Sequence, residues 1–332
     1  MNKPLKIIVN ILIFTLIAGF GFYVGFSTKS DYKIGSSDTE NQETEFVSPY
    51  KKANSFDLTS DVLSFDIYED KIFVALQDKV SVFDFEGNKQ YDFEINSNVR
   101  DIVAIYDTIF VLYPTEIELY TIDGQLIDQW EACSDNADYC AFTISNNYLF
   151  VTDADNKLIV QYNKDGQLIR FIKSPHGFVI PSYAFDIICI NDTIYCSNSG
   201  RHKIESFTID GTFIASYGVS GNQAGEFSGC CNPVYLEKTE GGNILTSEKG
   251  NPRISSFSKH GKFRTILLDS NMLGNGTDAY RMKIQNKNLF VAGKKSFSIY
   301  TFDCKQLRNP CSGCDLECPT KISRKKQTND YD

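Results

Sequence analysis

Thr121-Ile122-Asp123-Gly124 is one of a series of polar turns that recur along the chain and decide its fold. A related stretch, Tyr300-Thr301-Phe302-Asp303-Cys304, has cysteine in the glycine position. Successive turns are 37, 42, 45, 50 and 43 residues apart, a spacing typical of the blades of a β-propeller. The repeat therefore predicts an all-β propeller with six blades. The remaining turns are Phe85-Glu86-Gly87, Asn163-Lys164-Asp165-Gly166, Thr208-Ile209-Asp210-Gly211 and Ser258-Lys259-His260-Gly261.

Each repeat is predicted to contain four short strands, because it is rich in Val, Ile, Tyr, Phe and Thr and is interrupted by Asn, Asp and Gly. In the second repeat the predicted strands are 100–105, 108–113, 116–121 and 125–130. No helical periodicity of useful length follows residue 26, which excludes an α/β fold. The repeats occupy 62–94, 100–130, 140–172, 184–217, 233–267 and 280–302.

The last repeat has only three strands before the chain becomes rich in cysteine. Residues 51–58 resemble the fourth strand of the other repeats. We expect them to complete the last blade, because this pairing removes two exposed sheet edges. The propeller then extends over 51–303. The alternative is a disordered linker followed by an incomplete sixth blade.

Residues 1–26 are predicted to form an N-terminal transmembrane helix. Lys3 and Lys6 precede an uncharged run from Ile7 to Phe26, which is long enough to cross a hydrocarbon core. The basic residues favour a cytoplasmic N-terminus. The protein is therefore expected to be a single-pass membrane protein with its C-terminal domain periplasmic or extracellular. A cleaved signal peptide is the alternative, although no clear small-x-small cleavage site follows the run.

The two segments that flank the propeller are polar. Residues 27–50 are predicted to be a flexible tether, and 304–332 a cysteine-rich segment with a basic tail. Lys3 and Lys6 are the only charged residues of the first 26, so the remainder carries a formal charge of −11. Such a surface repels polyphosphate, and we expect no nucleic acid partner.

The fourth and fifth repeats resemble a known family. Ser197-Asn198-Ser199-Gly200-Arg201-His202-Lys203-Ile204-Glu205-Ser206-Phe207 resembles the core of an NHL repeat, and Gly225-Glu226-Phe227, which runs on to Asn232-Pro233, is similar. The resemblance is weaker in the third repeat, and elsewhere it survives mainly as strand pattern and turn. The resemblance implies a six-bladed NHL-type propeller. With the predicted anchor at 1–26, the chain would be a membrane-anchored member of that family.

The NHL resemblance implies little chemistry, because the family includes extracellular binding modules, receptor ectodomains, RNA-binding modules and a lyase. The lyase-type members bind a metal through histidines and acidic groups. This chain has only His176, His202 and His260, which argues against a copied metal site.

One face of such a propeller carries both the loops that join strand four to the next strand one and the loops between strands two and three. We call it the long-loop face, and its longest loops are 131–139, 173–183, 218–232 and 268–279. Function concentrates on loops of rigid scaffolds. We expect a small anionic ligand, a peptide or a protein to bind here, unless the charged residues only pair with each other or solvate the loops. The candidate binding residues are Arg201, His202, Cys230, Cys231, Glu248, Lys249 and Arg253.

The cysteines of the propeller are predicted to have different roles. Cys133 and Cys140 bracket one loop and are candidates for a disulfide. Cys189 and Cys196 are offset by two positions in their predicted hairpin, so we expect two small buried hydrophobes. Adjacent Cys230 and Cys231 could form a strained vicinal disulfide, bond to other cysteines, or remain thiols.

Four cysteines follow the last repeat. Disulfides are the simplest interpretation outside the cytoplasm. An iron–sulfur cluster or zinc is the weaker alternative, because the upstream spacing of a ferredoxin-type motif and a second Cys-x-x-Cys are both missing. No other cofactor is expected. The four are Cys304, Cys311, Cys314 and Cys318.

The sequence thus favours a membrane-anchored, non-catalytic binding module. The alternative is a redox or metal-dependent enzyme that uses Cys230 and Cys231 or the C-terminal cysteines. The sequence shows no nucleophile–base pair or phosphate-binding loop that would favour this alternative.

If the N-terminal helix is retained as an anchor, mass spectrometry of the membrane fraction should detect peptides that include residues before Phe26. The physical reason is the uncharged run behind Lys3 and Lys6. A mature N-terminus that begins after residue 26 would show cleavage and contradict retention.

Overall fold

The computed structural model describes residues 46–145, 147–274 and 276–303. They form six antiparallel sheets of four strands, so the predicted all-β, six-bladed propeller is confirmed. The first strand, Tyr50–Asp57 (β1), belongs to the sixth blade.

Each of the first five blades is built from four consecutive strands. Blade 1 contains Ser64–Tyr68 (β2), Lys71–Ala75 (β3), Lys79–Phe83 (β4) and Lys89–Glu94 (β5). Blade 2 contains Asp101–Ile105 (β6), Thr108–Leu112 (β7), Glu116–Thr121 (β8) and Leu126–Glu131 (β9). Blade 3 contains Tyr139–Ile144 (β10), Tyr148–Asp153 (β11), Leu158–Asn163 (β12) and Leu168–Ile172 (β13).

Blades 4 and 5 repeat the pattern, and blade 6 recruits β1. Blade 4 contains Ile187–Ile190 (β14), Thr193–Asn198 (β15), Lys203–Thr208 (β16) and Phe213–Tyr217 (β17). Blade 5 contains Tyr235–Lys238 (β18), Ile244–Glu248 (β19), Arg253–Phe257 (β20) and Phe263–Leu268 (β21). Blade 6 contains Arg281–Gln285 (β22), Asn288–Ala292 (β23), Ser296–Phe302 (β24) and β1. A one-turn helix, Ser270–Leu273 (α1), and the 3₁₀ turns Pro181–Tyr183 and Ser199–Arg201 lie in loops.

The strand predicted at 51–58 is shifted by one residue in the structure. Tyr50 pairs with Phe302 at one end of the ladder, and Asp57 pairs with Ser296 at the other. The backbone N–H of Leu58 donates to the carbonyl of Lys295, 2.8 Å away, outside the ladder. The N-terminal strand therefore supplies the outer edge of the blade formed by the C-terminal repeat.

The core consists of layers between neighbouring blades rather than one central cluster. The described residues form six hydrophobic clusters, and each joins side chains of two adjacent blades. The cluster between blades 6 and 1, for example, packs Phe297 against Phe65, with ring centroids 4.8 Å apart. The first strands of the six blades lie around the axis of the propeller and surround a channel.

The turn glycines lie where one blade touches the next. Their φ angles are 74–88°, a region that residues with a Cβ rarely adopt. A Cβ at Gly124 would lie 2.3 Å from Phe93, which belongs to the fourth strand of the preceding blade. At Gly87 it would lie 2.6 Å from Phe56 on β1, so the same contact also closes the ring. The corresponding partners of Gly166, Gly211 and Gly261 are Trp130, Ile172 and Tyr217.

Within the described part of the chain, none of the helices has the length and apolar character that a membrane crossing requires. The predicted anchor at 1–26 lies outside the described residues, as does most of the predicted tether at 27–50.

Replacing Gly124 with Ala should destabilise the protein more than replacing Gly250. Both glycines have φ +86°, but a Cβ at Gly250 meets nothing within 4 Å. Gly250→Ala should therefore cost only the backbone strain, about 1–2 kcal/mol. Gly124→Ala should cost about 1–3 kcal/mol more, because the methyl group overlaps Phe93. The measurement is the denaturation midpoint of each variant, and equal losses would contradict the packing role.

Candidate functional site

The first strands of the six blades line an axial channel with a cavity of about 270 Å³. Side chains alternate between the two faces of a strand, so every second residue of these strands reaches the channel wall. Several of those residues are charged, and charged side chains are rarely buried unless they are paired. The charged residues that line the channel are Asp66, Asp101, Asp186, Glu237, Lys238, Arg281 and Lys283.

A second cavity of about 260 Å³ opens where the channel reaches the long-loop face. We call it the channel mouth. It is formed by the beginnings of first strands and by the loops that precede them. Asp186, Tyr235 and Arg281 line both the channel mouth and the channel, so they lie at the passage between the two cavities. The mouth also includes Arg100, Cys140, Ser182 and Tyr183.

Arg281 connects blades across the passage. Its Nη1 lies 3.2 Å from Oδ1 of Asp101, and its Nη2 donates to the carbonyl of Arg100 at 2.7 Å. The guanidinium group also lies 4.7 Å from the ring centroid of Tyr235, within reach of a cation–π interaction. These contacts fix a positive group and an aromatic ring at the inner end of the mouth.

Arg100 makes a similar arrangement at the outer end. Its Nη2 lies 3.0 Å from Oδ1 of Asp138, and its guanidinium group lies 4.9 Å from the ring centroid of Tyr183. Tyr183 is 54% exposed. Burial raises the pKa of Asp138, although Arg100 opposes the rise. The mouth therefore presents two rings, each covered by a guanidinium group.

Asp186 differs from these acids because it pairs with none of the basic side chains that the structure describes. Its Oδ2 accepts the backbone N–H of Leu236 at 2.6 Å, and its Oδ1 accepts that of Ile187 at 2.9 Å. Burial raises the pKa of Asp186 to about 7, and the nearby Asp101 carboxylate adds to the rise, whereas the N–H donors and Arg281 oppose it. The charge of the mouth therefore changes near neutral pH.

Deeper in the channel, Lys283 lies between two carboxylates. Its Nζ is 3.3 Å from Oδ1 of Asp66 and 3.4 Å from Oε2 of Glu237. Asp66 also accepts the backbone N–H of Ala104 in the next blade at 2.8 Å. Burial raises the pKa of Glu237, and Lys283 opposes that rise. Lys283, Asp66 and Glu237 therefore join blade 6 to blades 1 and 5 on either side of it.

Two of the predicted binding residues form a buried ion pair with each other. Arg253 Nε lies 2.8 Å from Oε1 of Glu248, and its Nη2 lies 2.9 Å from Oε2. Both side chains are more than 90% buried. Arg253 Nη2 also donates to the carbonyl of Glu226. The pair therefore fastens the 218–232 loop to blade 5.

Arg201 contacts a different loop, 173–183, and His202 lies beside it in the chain. Arg201 Nε donates to the carbonyl of Gly177 at 2.9 Å. His202 has φ 55°, and its Nδ1 is buried without a hydrogen-bond partner among the described residues. Neither the channel nor the channel mouth is lined by any of the seven predicted residues: Arg201, His202, Cys230, Cys231, Glu248, Lys249 and Arg253.

The cysteines of blades 3 and 4 are thiols in the structure. Cys133 donates to the hydroxyl of Tyr162 at 3.1 Å, and Cys140 to the carbonyl of Asp138 at 3.5 Å. The predicted bond between them is therefore not formed here. Cys189 and Cys196 are buried, and Cys189 lies opposite Ile194, the register that makes a bond between them unfavourable.

The C-terminal cysteines predicted to form disulfides or, alternatively, to hold iron–sulfur or zinc lie outside the described residues. Among 46–145, 147–274 and 276–303, no three His, Cys, Asp or Glu side chains are grouped closely enough to hold a metal ion. The cysteines concerned are Cys304, Cys311, Cys314 and Cys318.

Sequence reasoning did not identify the residues of the mouth. Asp101, Tyr235 and Arg281 occupy one position in their blades, at the start of the first strand, and Asp186 directly precedes β14. Aligning the repeats at this position would have revealed charged residues where a buried strand normally begins with an apolar one. The sequence therefore contains this information, but it becomes visible only when the blades are compared with one another.

Comparisons with known proteins agree with the fold. No protein-family model matches the chain, and no curated protein matches its sequence. Virginiamycin B lyase from Staphylococcus aureus is 12% identical, with a TM-score of 0.53 over 76% of this chain and 99% of the lyase. A streptogramin B lyase is 14% identical, with a TM-score of 0.55 over 76% and 98%. A protein of unknown function from Bacteroides thetaiotaomicron is 12% identical, with a TM-score of 0.59 over 76% and 72%. At these identities the likeness shows the propeller fold alone.

Replacing Arg253 with Met should destabilise the protein by about 3–5 kcal/mol, because Glu248 would remain buried without its partner. The double variant Glu248→Leu/Arg253→Met should recover much of this loss. Arg201→Met, on an exposed arginine, should change the free energy of unfolding by about 0.5 kcal/mol or less. Chemical denaturation measures all three. A double variant as unstable as Arg253→Met would show that the loop requires the charges themselves.

Proposed function

We propose that the protein is a membrane-anchored, NHL-type propeller that acts as a binding module through its long-loop face. Residues 1–26 would hold it in the membrane, and the propeller would lie in the periplasm or outside the cell. The apolar N-terminal run behind Lys3 and Lys6 supports the anchor. The NHL-like stretch 197–207 supports the family, and the cavity at the channel mouth supports binding.

The observation that carries this proposal is the composition of the channel mouth. Two aromatic rings, the exposed Tyr183 and the half-buried Tyr235, line the mouth together with the carboxyl group of Asp186, which has no basic partner among the described side chains. A cavity of about 260 Å³ is slightly smaller than the usual ligand pocket of about 300–1,000 Å³. The mouth is therefore suited to a small molecule, or to one side chain or terminus of a peptide or protein.

The charges of the mouth favour a ligand group that is positive and donates hydrogen bonds. Arg100 is neutralised by Asp138, and Arg281 by Asp101. Asp186 then leaves one negative charge when it is ionised. An ammonium group beside Asp186, with its apolar part against the tyrosine rings, would satisfy this arrangement.

An anionic ligand, which the sequence predicts, is the second candidate. The observation in its favour is that Arg100 and Arg281 both border the mouth. When Asp186 is protonated, no net negative charge remains to repel an anion. The two candidates therefore predict opposite dependences of affinity on pH.

Benzylamine and benzoate provide a matched pair of probes, because they share one ring and differ in the sign of their charge. The pKa of Asp186 is about 7, so its ionised fraction rises about tenfold between about pH 6 and about pH 8. Benzylamine should bind up to about tenfold more tightly at the higher pH. Affinity is measured by ligand-observed NMR titration.

Asp186→Asn should remove this pH dependence, whereas Asp192→Asn, at an exposed turn on the opposite face, should leave it unchanged. Tighter binding of benzoate at the lower pH would favour the anionic ligand. Failure of both probes to bind, or binding that Asp186→Asn leaves unchanged at both pH values, would refute binding at this site.

A further inference from the structure

We propose that Cys230 and Cys231 form a thiol–disulfide exchange centre on the long-loop face, with Cys230 as the sulfur that contacts the substrate and Cys231 as the resolving sulfur. The substrate class is a small-molecule disulfide or the disulfide of another protein. This activity is independent of ligand binding at the channel mouth.

The two sulfur atoms are already close enough to react. Sγ of Cys230 and Sγ of Cys231 are 3.1 Å apart and share a hydrogen bond. Among the described cysteines no disulfide is formed, so both sulfurs are available as thiols. Exchange would convert this contact into a strained covalent bond, and strained disulfides are the ones that are readily reduced again.

The frame that holds the pair does not depend on a bond between the sulfurs. The buried side chain of Asn232 donates to the carbonyls of Ser228 at 2.7 Å and Lys249 at 2.9 Å. In return it accepts the backbone N–H of Lys249 at 2.9 Å. These bonds fix the residue that follows the pair, so the loop can keep its place while the sulfurs change redox state.

The pair is asymmetric, which assigns the roles. Cys230 is exposed, whereas Cys231 is 1% exposed. An incoming disulfide can therefore reach only the first sulfur. Lys249 lies beside Cys231, where its ammonium group can stabilise a thiolate.

The pKa shifts of the two thiols determine which sulfur is ionised before the reaction and make it the proton acceptor for the other. Burial alone would raise the pKa of Cys231, but hydrogen bonds from Lys249 and Cys230, the Lys249 charge and Ser182 lower it below its usual value. The hydrogen bond to Cys231 raises the pKa of Cys230. The thiolate thus resides mainly on the buried sulfur, which is also the better leaving group in the reverse direction.

The reaction balances with a disulfide RSSR as the oxidant. The Cys231 thiolate first takes the proton of Cys230 across their 3.1 Å contact, and the Cys230 thiolate then attacks one sulfur of RSSR. The S–S bond breaks, the leaving RS⁻ takes the proton from Cys231 to become RSH, and Cys230–S–S–R remains. The Cys231 thiolate then attacks Sγ of Cys230 and expels the second RS⁻, which takes up a proton. The protein loses two protons and two electrons to RSSR, which becomes two RSH.

The test uses the purified full-length chain and glutathione disulfide as the probe. After the reaction, N-ethylmaleimide blocks the remaining thiols, and trypsin releases the peptide 204–238. This peptide contains Cys230 and Cys231 and no other cysteine. In the wild type we expect a peptide that carries no maleimide and lacks two hydrogen atoms.

The single variants separate the roles of the sulfurs. Cys231→Ser should stop at a glutathione adduct on Cys230, whereas Cys230→Ser should react at least about tenfold more slowly because its remaining sulfur is buried. Lys249→Met should slow the attack of Cys231 on Sγ of Cys230. The pH dependence of that rate should move to higher pH. Cys133→Ser should behave like the wild type.

Circular dichroism melting checks that each variant is folded, and Cys231→Ala replaces Cys231→Ser if the serine variant does not fold. Two results would overturn the proposal. One is a wild-type peptide that carries two maleimides after exposure to excess glutathione disulfide. The other is equal adduct formation in Cys230→Ser and Cys231→Ser.

Discussion

The close contact between each turn glycine and the fourth strand of the preceding blade is the constraint on which the ring depends. Gly124 approaches Phe93 so closely that a Cβ would be 2.3 Å away. The same residue type supplies the positive φ that the turn needs. One glycine therefore sets both the turn within a blade and the spacing between blades, and the contact of Gly87 with Phe56 extends this rule to the closing strand.

The blades are joined a second time around the channel, by charges rather than by apolar contacts. Arg281 reaches Asp101 two blades away, and Lys283 bonds to acids on both neighbouring blades. Burying these charges is costly unless each is paired and hydrogen-bonded. Asp186 meets this requirement only through backbone N–H groups, and its raised pKa follows from that environment. Among the described residues, the Asp186 carboxyl group is thus hydrogen-bonded by backbone N–H groups alone, whereas Asp101 and Asp66 each have a basic partner.

The long-loop face combines two kinds of chemistry on one rigid support. The channel mouth offers a carboxyl group and aromatic rings, and the loop at 218–232 offers two adjacent thiols. Ser182 lines the mouth and also contributes to the lowered pKa of Cys231. The buried pair of Glu248 and Arg253 fastens the loop, which allows the thiols to lie on a defined surface without a disulfide to hold them.

The sequence by itself determined the number of blades and most strand bounds, which in the second blade agree within one residue, because the turn glycines and strand patterns are local signals. It also indicated that 51–58 could serve as a fourth strand. It could not show that Arg253 pairs with Glu248, or that Asp186, Arg100 and Arg281 meet at the channel mouth, since these contacts join residues distant in sequence. Only the tertiary structure decided which charges neutralise each other and which remain available, because that depends on the ring bringing six first strands together around one axis.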